Sequence, residues 1–420
     1  MKRSILAIFS VLTISLFLLL GCSGKTGTAT ETVKIGAVYP LTGPVASTGL
    51  EIKAVIELAA EAVAGTVTLP LPSQTATTGK KAAARKVEVV FKDYGEDPDK
   101  AAAAVEELVK KDGVSAILGC YQSSATAAAS EKAEVLGVPF LNPESTAALL
   151  TARGLRWFFR TTPDDGVFVS NFFSFLKDAL AANPRLPRNL VLVYENKVWG
   201  TGVAQAEKRE AAQNGFTVVA DVPYDSTKTD FSAELDRIAA AMPAIILQAS
   251  YDADAVAFMQ GYLDRKIPRS LVLAMDAGFI GSFFMTSMGP KAEGVLSRDV
   301  FARGADGGSA LLKEVSRLYK DRSGKELNGN TARSFTGFMV LVDAVRRAES
   351  GGPEAIRKAL IATDLSRESI LMPWDGVRFD PATGQNTKGR GIIGQLQGGR
   401  YVPVWPPEYA EARILWTGLE

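Results

Sequence analysis

The chain has 420 residues, with 47 Lys and Arg against 46 Asp and Glu, which gives a formal net charge of +1. This length predicts two or three domains, and the near-neutral charge argues against a nucleic-acid binder. The sequence contains no histidine and only two cysteines. This composition excludes Ser-His and Cys-His catalysis, histidine-ligated zinc and a disulfide scaffold.

The start of the chain has the pattern of a secretory signal. A short basic segment precedes an apolar run, Ser4–Leu20, which gives way to a polar stretch. We predict a signal peptide over residues 1–21 and a flexible tether over residues 22–32. The letters LLGC that end at Cys22 resemble a bacterial lipobox, which implies a lipid on Cys22 as the only membrane attachment. The alternative is a plain signal peptide that happens to be followed by cysteine.

Short β-branched strands alternate with helices through the first part of the chain after the signal. The predicted strands are 33–38, 87–91, 114–118 and 138–141, and the helices are 49–64, 98–112 and 125–136. Asp97 is the expected N-cap of the second helix, and Gly113 and Gly137 are expected to end the second and third. The Pro-, Thr- and Gly-rich segment 69–84 predicts an exposed surface loop.

The same alternation returns after a break near 160–165. The predicted strands are 190–194, 216–220, 244–248 and 271–275, and the helices are 202–214, 231–242 and 252–266. Repeated βα units of this kind predict an α/β protein with two doubly wound, mostly parallel sheets that carry helices on both faces.

The last third of the chain departs from this rhythm. Three helices, 308–322, 331–350 and 353–362, have few strands between them, and a hairpin is predicted around Gly398-Gly399. Helices without strands of their own must cover another sheet, so we expect the chain to cross between two lobes more than once. A GxGxxG pattern at 389–394 opens the hairpin rather than a helix, so we expect no dinucleotide there and no other cofactor or metal.

Polar loops follow the predicted strands, at the position where doubly wound sheets bind ligands. These loops are 40–49, 119–124 and 142–146 in the first half and 195–202, 249–254 and 276–278 in the second. The first set is rich in hydroxyls and helix starts, which suits a carboxylate. The second set offers Trp199, Tyr251 and Asp276, an aromatic wall with one acid, which suits an ammonium group. Together they predict a zwitterion held between two lobes.

Seven segments, in this order and spacing, resemble the branched-chain amino-acid-binding proteins of ABC importers over essentially all of the chain after the signal. They are IGAVYPLTGPVASTG (35–49), DYGEDPDKAAAAVEELV (93–109), SSATAAAS (123–130), PFLNPESTAALLT (139–151), FFRTTPDD (158–165), VWGTG (198–202) and FDPATGQN (379–386). The resemblance implies the two-lobed type I periplasmic binding protein fold with three hinge crossings. We expect lobe 1 to comprise 33–159 and 299–374, and lobe 2 to comprise 160–298 and 375–420.

The resemblance also implies a set of ligand-binding residues. Ser123, with Gln122 beside it, and Thr146 would hold the ligand carboxylate, while the backbone carbonyl of Glu144 would accept from the ammonium. On the opposite side, Trp199 would cover the ligand, Tyr251 would approach its polar end and Asp276 would pair with the ammonium. Thr48, at a position that is usually aromatic, and Tyr121 complete the predicted set.

Each of these residues has a structural alternative. Ser123, Thr146 and Asp276 could be helix caps. Trp199 could pack within its own lobe, and Tyr251 could be a solvated edge residue. The remaining cysteine, Cys120, is expected to be a small buried residue.

The implied protein is a non-enzymatic receptor outside the cytoplasmic membrane that hands an amino acid to the permease subunits of an ABC transporter. Asp276 favours an α-amino acid, since a plain carboxylate would meet a like charge there. Two alternatives stay open. One is a sensor of the same fold for amides, urea or aromatic carboxylates, which signals to a receptor or regulator. The other is an enzyme.

Overall fold

A computed structural model describes residues 31–71, 85–242, 245–267, 271–302 and 309–416 of the chain. The predicted signal peptide with its junction at Cys22, nearly all of the tether and most of the 69–84 loop lie outside these residues. Within the described part, no helix combines the length and apolar character needed to span a bilayer.

The helices and strands follow the order expected from the sequence. The strands are β1 (Thr32–Tyr39), β2 (Lys86–Asp93), β3 (Ala116–Gly119), β4 (Phe140–Asn142), β5 (Phe158–Arg160), β6 (Asn189–Glu195), β7 (Thr217–Tyr224), β8 (Ile245–Ala249), β9 (Leu271–Ala274), β10 (Leu296–Asp299), β11 (Asp364–Ser366), β12 (Gly376–Arg378), β13 (Ile392–Gln397) and β14 (Arg400–Trp405). The α-helices are α1 (Ala46–Ala64), α2 (Pro98–Glu107), α3 (Ser123–Leu136), α4 (Leu149–Ala152), α5 (Asp165–Ala182), α6 (Val198–Gln213), α7 (Ser232–Ala240), α8 (Asp252–Asp264), α9 (Ser282–Met288), α10 (Ala310–Ser323), α11 (Gly329–Arg347) and α12 (Pro353–Ile361).

Two main sheets form the two lobes. The sheet of lobe 1 has the strand order β2-β1-β3-β4-β5, and all of its neighbouring strands are parallel. The sheet of lobe 2 has the order β14-β13-β10-β9-β8-β6-β7, in which β10 to β7 are parallel and β13 and β14 are antiparallel. The predicted hairpin is therefore confirmed, and it extends the second sheet.

The chain crosses between the lobes three times. It leaves lobe 1 after β5, returns after β10 to place α10 and α11 against α1, and passes back to add β13 and β14 to the second sheet. The short antiparallel pair of β11 and β12 lies on the last of these connections. The two-lobed α/β fold with three crossings is thus confirmed, while the residue bounds of the lobes stay a prediction.

Local sequence signals account for several helix ends. The Asp97 carboxylate accepts from the Asp99 backbone N–H at 2.9 Å, as an N-cap should. Gly137 ends α3 in the left-handed conformation, with φ of 66°. Helix α6 begins at Val198 rather than at Gly202, because the Glu195 carboxylate accepts from the Lys197 and Gly200 backbone N–H groups, both at 2.8 Å.

Two of the elements that were not predicted lie near the site. Asp164 is the N-cap of helix α5, and its side-chain carboxylate accepts from the Val167 backbone N–H at 3.0 Å. It buries Phe168, Phe172 and Leu176 at helical spacing. Strand β10 is the other omission, and both elements contribute to the surroundings of the site described next.

Candidate ligand site between the lobes

A narrow cavity of about 10 Å³ lies between the two lobes. Its lining residues are Tyr121, Ser123, Glu144, Ser145, Thr146, Trp199, Tyr251, Ala277, Arg298 and Arg333. Most of them follow the carboxyl ends of β3 and β4 in the first sheet and of β6, β8 and β9 in the second. Since that space is about the size of one water molecule, a larger solute requires the lobes to separate.

The side of lobe 1 presents the predicted hydroxyl groups. Ser123 is the first residue of α3, and its Oγ accepts from the Ala147 backbone N–H at 3.4 Å. Thr146 lies in the loop after β4. The N-caps of α3 and α4 are Gln122 and Ala148, so neither Ser123 nor Thr146 occupies the N-cap position that the alternative assigned to it.

Buried hydrogen bonds hold the two loops of lobe 1 together. The Asn142 side-chain amide donates to the backbone carbonyls of Gly119 and Cys120, at 2.8 and 2.9 Å. The Ser145 hydroxyl donates to the Cys120 carbonyl at 2.9 Å. Cys120 itself is buried, as expected. These bonds fix the loop that carries Ser123 relative to the loop that carries Thr146.

Glu144 lines the cavity with a side chain that already has partners. Its carboxylate accepts from the Tyr39 hydroxyl at 3.1 Å and from the Ser334 hydroxyl of α11. Burial raises the pKa of Glu144 to about 7, against the opposing effects of Ser334 and Arg333. The resemblance implied a role for the backbone carbonyl of this residue. The buried side-chain carboxylate is a feature of the site that was not predicted.

Aromatic rings from both lobes meet at the cavity. The ring centroid of Tyr251 lies 4.8 Å from that of Trp199 and 5.5 Å from that of Tyr121. All three residues are buried, so Tyr251 is not a solvated edge residue. Among the described residues, neither Trp199 Nε1 nor the Tyr121 hydroxyl has a hydrogen-bond partner.

Asp276 lies behind the cavity, in contact with two buried arginines. Its Oδ2 accepts from Arg298 Nη1 at 2.6 Å and from Arg333 Nη1 at 2.8 Å. Its Oδ1 is buried with no partner in the described part of the chain. It makes no capping hydrogen bond to the short 3₁₀ helix that follows, so the cap alternative is wrong for this residue.

These contacts contradict one premise of the sequence analysis. Asp276 would repel a plain carboxylate only if it lacked a counter-ion. In the structure two guanidinium groups neutralise it, so it does not by itself repel an anion. We refer to Asp276, Arg298 and Arg333 as the Asp276 cluster.

The two arginines are the functional residues that sequence reasoning missed. The Arg298 guanidinium on β10 stacks 3.8 Å from the Phe168 ring centroid of α5, and its Nη2 lies 3.5 Å from Thr146 Oγ1. Arg333 on α11 donates to Asn330 as well as to Asp276. A signal for Arg333 was present, since it shares a helical face with Val340 and Leu341, seven and eight residues later.

The surroundings shift the pKa of each arginine differently. Burial lowers the pKa of Arg298, and Asp276 opposes that effect. Burial also acts to lower the pKa of Arg333, but Asp276 and Glu144 outweigh it and raise the pKa. Arginine stays protonated in proteins, so both groups that line the cavity are charged.

Two predicted residues lie beside the cavity without lining it. Thr48 on α1 donates from Oγ1 to Asp252 Oδ2 of α8 at 2.7 Å, a direct bond between the lobes. Gln122 is buried, and its Oε1 has no partner among the residues described. Burial raises the pKa of Asp252 to about 8, while Thr48 acts to lower it.

A second set of buried polar contacts also joins the lobes. The Glu51 carboxylate on α1 accepts from the Ser282 hydroxyl of α9, from Lys325 Nζ at 3.0 Å and from Asn328 Nδ2 at 2.9 Å. Glu51 is only 2% exposed. We refer to Glu51, Ser282, Lys325 and Asn328 as the Glu51 cluster.

Comparison with known proteins gives a consistent result. The model of a family described as periplasmic binding protein matches residues 32–399. The chain is 25% identical over 402 residues to Leu/Ile/Val-binding protein homolog 7 of Brucella abortus, a match that covers 92% of this chain and 94% of that protein.

Two solved structures extend the comparison to the fold. The branched-chain amino acid transporter substrate-binding protein of Streptococcus pneumoniae, in complex with isoleucine, has a TM-score of 0.73 at 23% identity, over 89% of this chain and 100% of that one. An ABC transporter solute-binding protein of Rhodopseudomonas palustris, in complex with benzoate, has a TM-score of 0.74 at 17% identity, over 93% and 100% of the two chains.

Proposed function

Because this chain belongs to the periplasmic binding protein family, we propose that it is an extracytoplasmic solute receptor. It binds a small carboxylate-bearing molecule between its lobes and delivers it to the permease of an ABC transporter. The observation that carries the proposal is the cavity at the carboxyl ends of strands from both sheets, lined by polar and aromatic groups of both lobes.

The arrangement supports closure as the binding mechanism. Ser123 and Thr146 belong to loops of lobe 1, whereas Trp199 and Tyr251 belong to loops of lobe 2, so only the closed state brings all of them to one ligand. A solute that contacts both sides has a higher affinity for the closed state and shifts the population toward it. The permease then recognises the closed receptor.

The ligand class follows from the donors on the lobe 1 side. The solutes named for the two similar structures, isoleucine and benzoate, both carry a carboxylate. Ser123, Thr146 and the N-terminus of α3 are suited to that group. The resemblance implies a branched-chain amino acid whose ammonium pairs with Asp276, and Asp276 Oδ1 is buried behind the cavity without a partner among the described residues.

A thermal-shift screen of the purified protein tests the proposal. Branched-chain amino acids, acidic amino acids, aliphatic acids and aromatic acids are each supplied at millimolar concentration. Ligand stabilisation follows RT ln(1 + [L]/Kd), so a micromolar ligand adds about 4 kcal/mol and shifts the melting temperature clearly. We expect one class to do so and to reduce the radius of gyration in small-angle scattering. If none of these solutes shifts the melting temperature, the proposal fails.

The membrane attachment is part of the same proposal. A lipid on Cys22 would hold the receptor at the outer face of the membrane beside its permease. We expect the protein to incorporate radiolabelled palmitate in cells, and the Cys22→Ala variant to lose the label. Label retained by the variant would contradict the anchor but would leave the receptor function unaffected.

A further inference from the structure

The cavity offers hydrogen-bond donors in excess of acceptors. Among the lining residues that the structure describes, the buried side-chain polar atoms without a partner are Tyr121 Oη, Trp199 Nε1 and Arg333 Nε. Trp199 Nε1 and Arg333 Nε can only donate, and the Tyr121 hydroxyl can donate as well as accept. A ligand that satisfies them must therefore bring acceptors.

The acids around the cavity are already occupied. Glu144 accepts from Tyr39 and Ser334, and Asp276 accepts from two guanidinium groups through Oδ2. The free Asp276 Oδ1 belongs to a residue that does not line the cavity. An ammonium group, which only donates, would find one acceptor, the Tyr121 hydroxyl, among these unpartnered buried atoms of the lining.

Two buried arginines lie on the same wall, among the carboxyl groups of Asp276, Asp299, Asp165 and Glu144. The Arg298 and Arg333 side chains are each 2% exposed and share one carboxylate oxygen. Arg298 lies close to Thr146, on the side that the sequence assigned to the ligand carboxylate. Buried guanidinium groups without enough partners are costly, and a carboxylate ligand supplies both charge and acceptors.

We propose that the natural ligand is a small organic anion that lacks an ammonium group, with its carboxylate bound by Arg333 and Arg298 and its apolar body against Trp199 and Tyr251. This inference rests on the proposed receptor function and narrows it from carboxylate-bearing solutes to simple carboxylates. Arg333 is then a specificity-determining residue, because it contributes an unpaired donor and a charge to the lining.

The test compares ligands of nearly equal shape by isothermal titration calorimetry on the wild-type protein. Leucine is paired with 4-methylpentanoate, which lacks only the ammonium, and phenylalanine is paired with 3-phenylpropanoate. Benzoate serves as a shorter aromatic acid. We expect the anion of at least one pair, or benzoate, to bind at least tenfold more tightly than either amino acid. The aliphatic and aromatic arms identify which kind of acid the site takes.

A variant tests the assignment of Arg333. Arg333→Gln should weaken binding of the preferred anion at least tenfold, because it removes a charged donor to the carboxylate. Arg347→Gln is the matched control, since Arg347 lies on the same helix and pairs with Asp343 outside the lining. Should Arg333→Gln not fold, the wild-type ligand pairs still decide the question.

The outcomes separate the two proposals. If leucine or phenylalanine binds as tightly as its ammonium-free partner, the inference is overturned and the receptor function stands. If an anion binds tightly but Arg333→Gln binds it equally well, the role of Arg333 is overturned. If no amino acid or organic acid binds at all, the receptor function fails, and the inference fails with it.

Discussion

The Glu51 cluster and the Asp276 cluster both join elements of the two lobes, yet they differ in what they leave open. The Glu51 carboxylate receives a hydroxyl, an ammonium and an amide from its own chain. The Asp276 cluster retains an unpartnered carboxylate oxygen and an unpartnered guanidinium N–H within the described structure. One cluster is complete without a ligand and holds the lobes together, whereas the other has binding capacity left over. Incomplete hydrogen bonding thus distinguishes the proposed recognition site from a structural contact of similar composition.

The largest expected effect on stability comes from a substitution that breaks the Asp276 cluster. Asp276→Asn leaves two buried guanidinium groups without their anion, so we expect a loss of about 3–5 kcal/mol in the free energy of unfolding. Urea denaturation measures it. Asp375→Asn is the control, because Asp375 pairs with Arg390 at the surface, where a loss of about 0–1 kcal/mol is normal. Equal losses in the two variants would show that Asp276 is not needed to neutralise the arginines.

The next effect concerns the Glu51 cluster. Glu51→Gln removes the charge that three donors share, so we expect the unfolding free energy to fall by about 1–3 kcal/mol. The closed state also loses its direct bond to Ser282, so the ligand-free protein should have a larger radius of gyration in small-angle scattering. Glu57→Gln on the exposed face of the same helix is the control. A radius unchanged by Glu51→Gln would mean that this cluster does not hold the lobes together.

A smaller effect is the pH dependence at Asp252. Burial raises its pKa to about 8, with Glu51 and Asp254 as further raising charges and Thr48 as an opposing donor. A raised pKa in the folded state means that the stability contribution is present at low pH and is lost as the pH rises toward about 8. Relative to the wild type, Asp252→Asn should therefore gain stability between about pH 5 and about pH 8.5. Thermal melts across this range measure the difference, and a constant difference would show that Asp252 is ionised throughout.

The smallest expected effect is on ligand affinity, and it comes from a substitution in the cavity lining. Trp199→Phe keeps an aromatic ring against Tyr251 but removes the Nε1 donor. One hydrogen bond of about 1 kcal/mol corresponds to roughly fivefold in Kd. We expect the bound anion to lose about that much affinity in titration calorimetry, with little change in melting temperature without ligand. An unaffected Kd would place the indole nitrogen outside the contacts of the ligand.

Much of the fold could be predicted because its signals are local. The alternation of β-branched strands with amphipathic helices, the Asp97 cap and the glycine stop at Gly137 each depend on a few neighbouring residues. The loops after β3, β4, β6 and β8 followed from the same pattern, since parallel strands place their carboxyl ends at one edge. This is why eight of the ten lining residues belong to the loops singled out from the sequence.

The missing part of the site depends on contacts between distant segments. Arg298 lies on a four-residue strand, too short for a clear periodic signal. Its contact with Asp276 and its proximity to Arg333 depend on how distant segments pack in the folded protein, which residue spacing in the sequence does not show. Thr48 shows the same limit, because its position in the first loop predicted a ligand contact, whereas its hydroxyl is bonded to Asp252 across the lobes.

The bonds of Glu51 and Thr48 across the lobes have a consequence for energy coupling in a transporter. Lobes that can join through their own side chains reach the closed shape without cargo. If a permease recognises that shape, each empty encounter triggers ATP hydrolysis that moves nothing. The strength of these two contacts would then set the rate of ATP hydrolysis without transport. Weakening them would lower that rate and would also lower the affinity for the ligand.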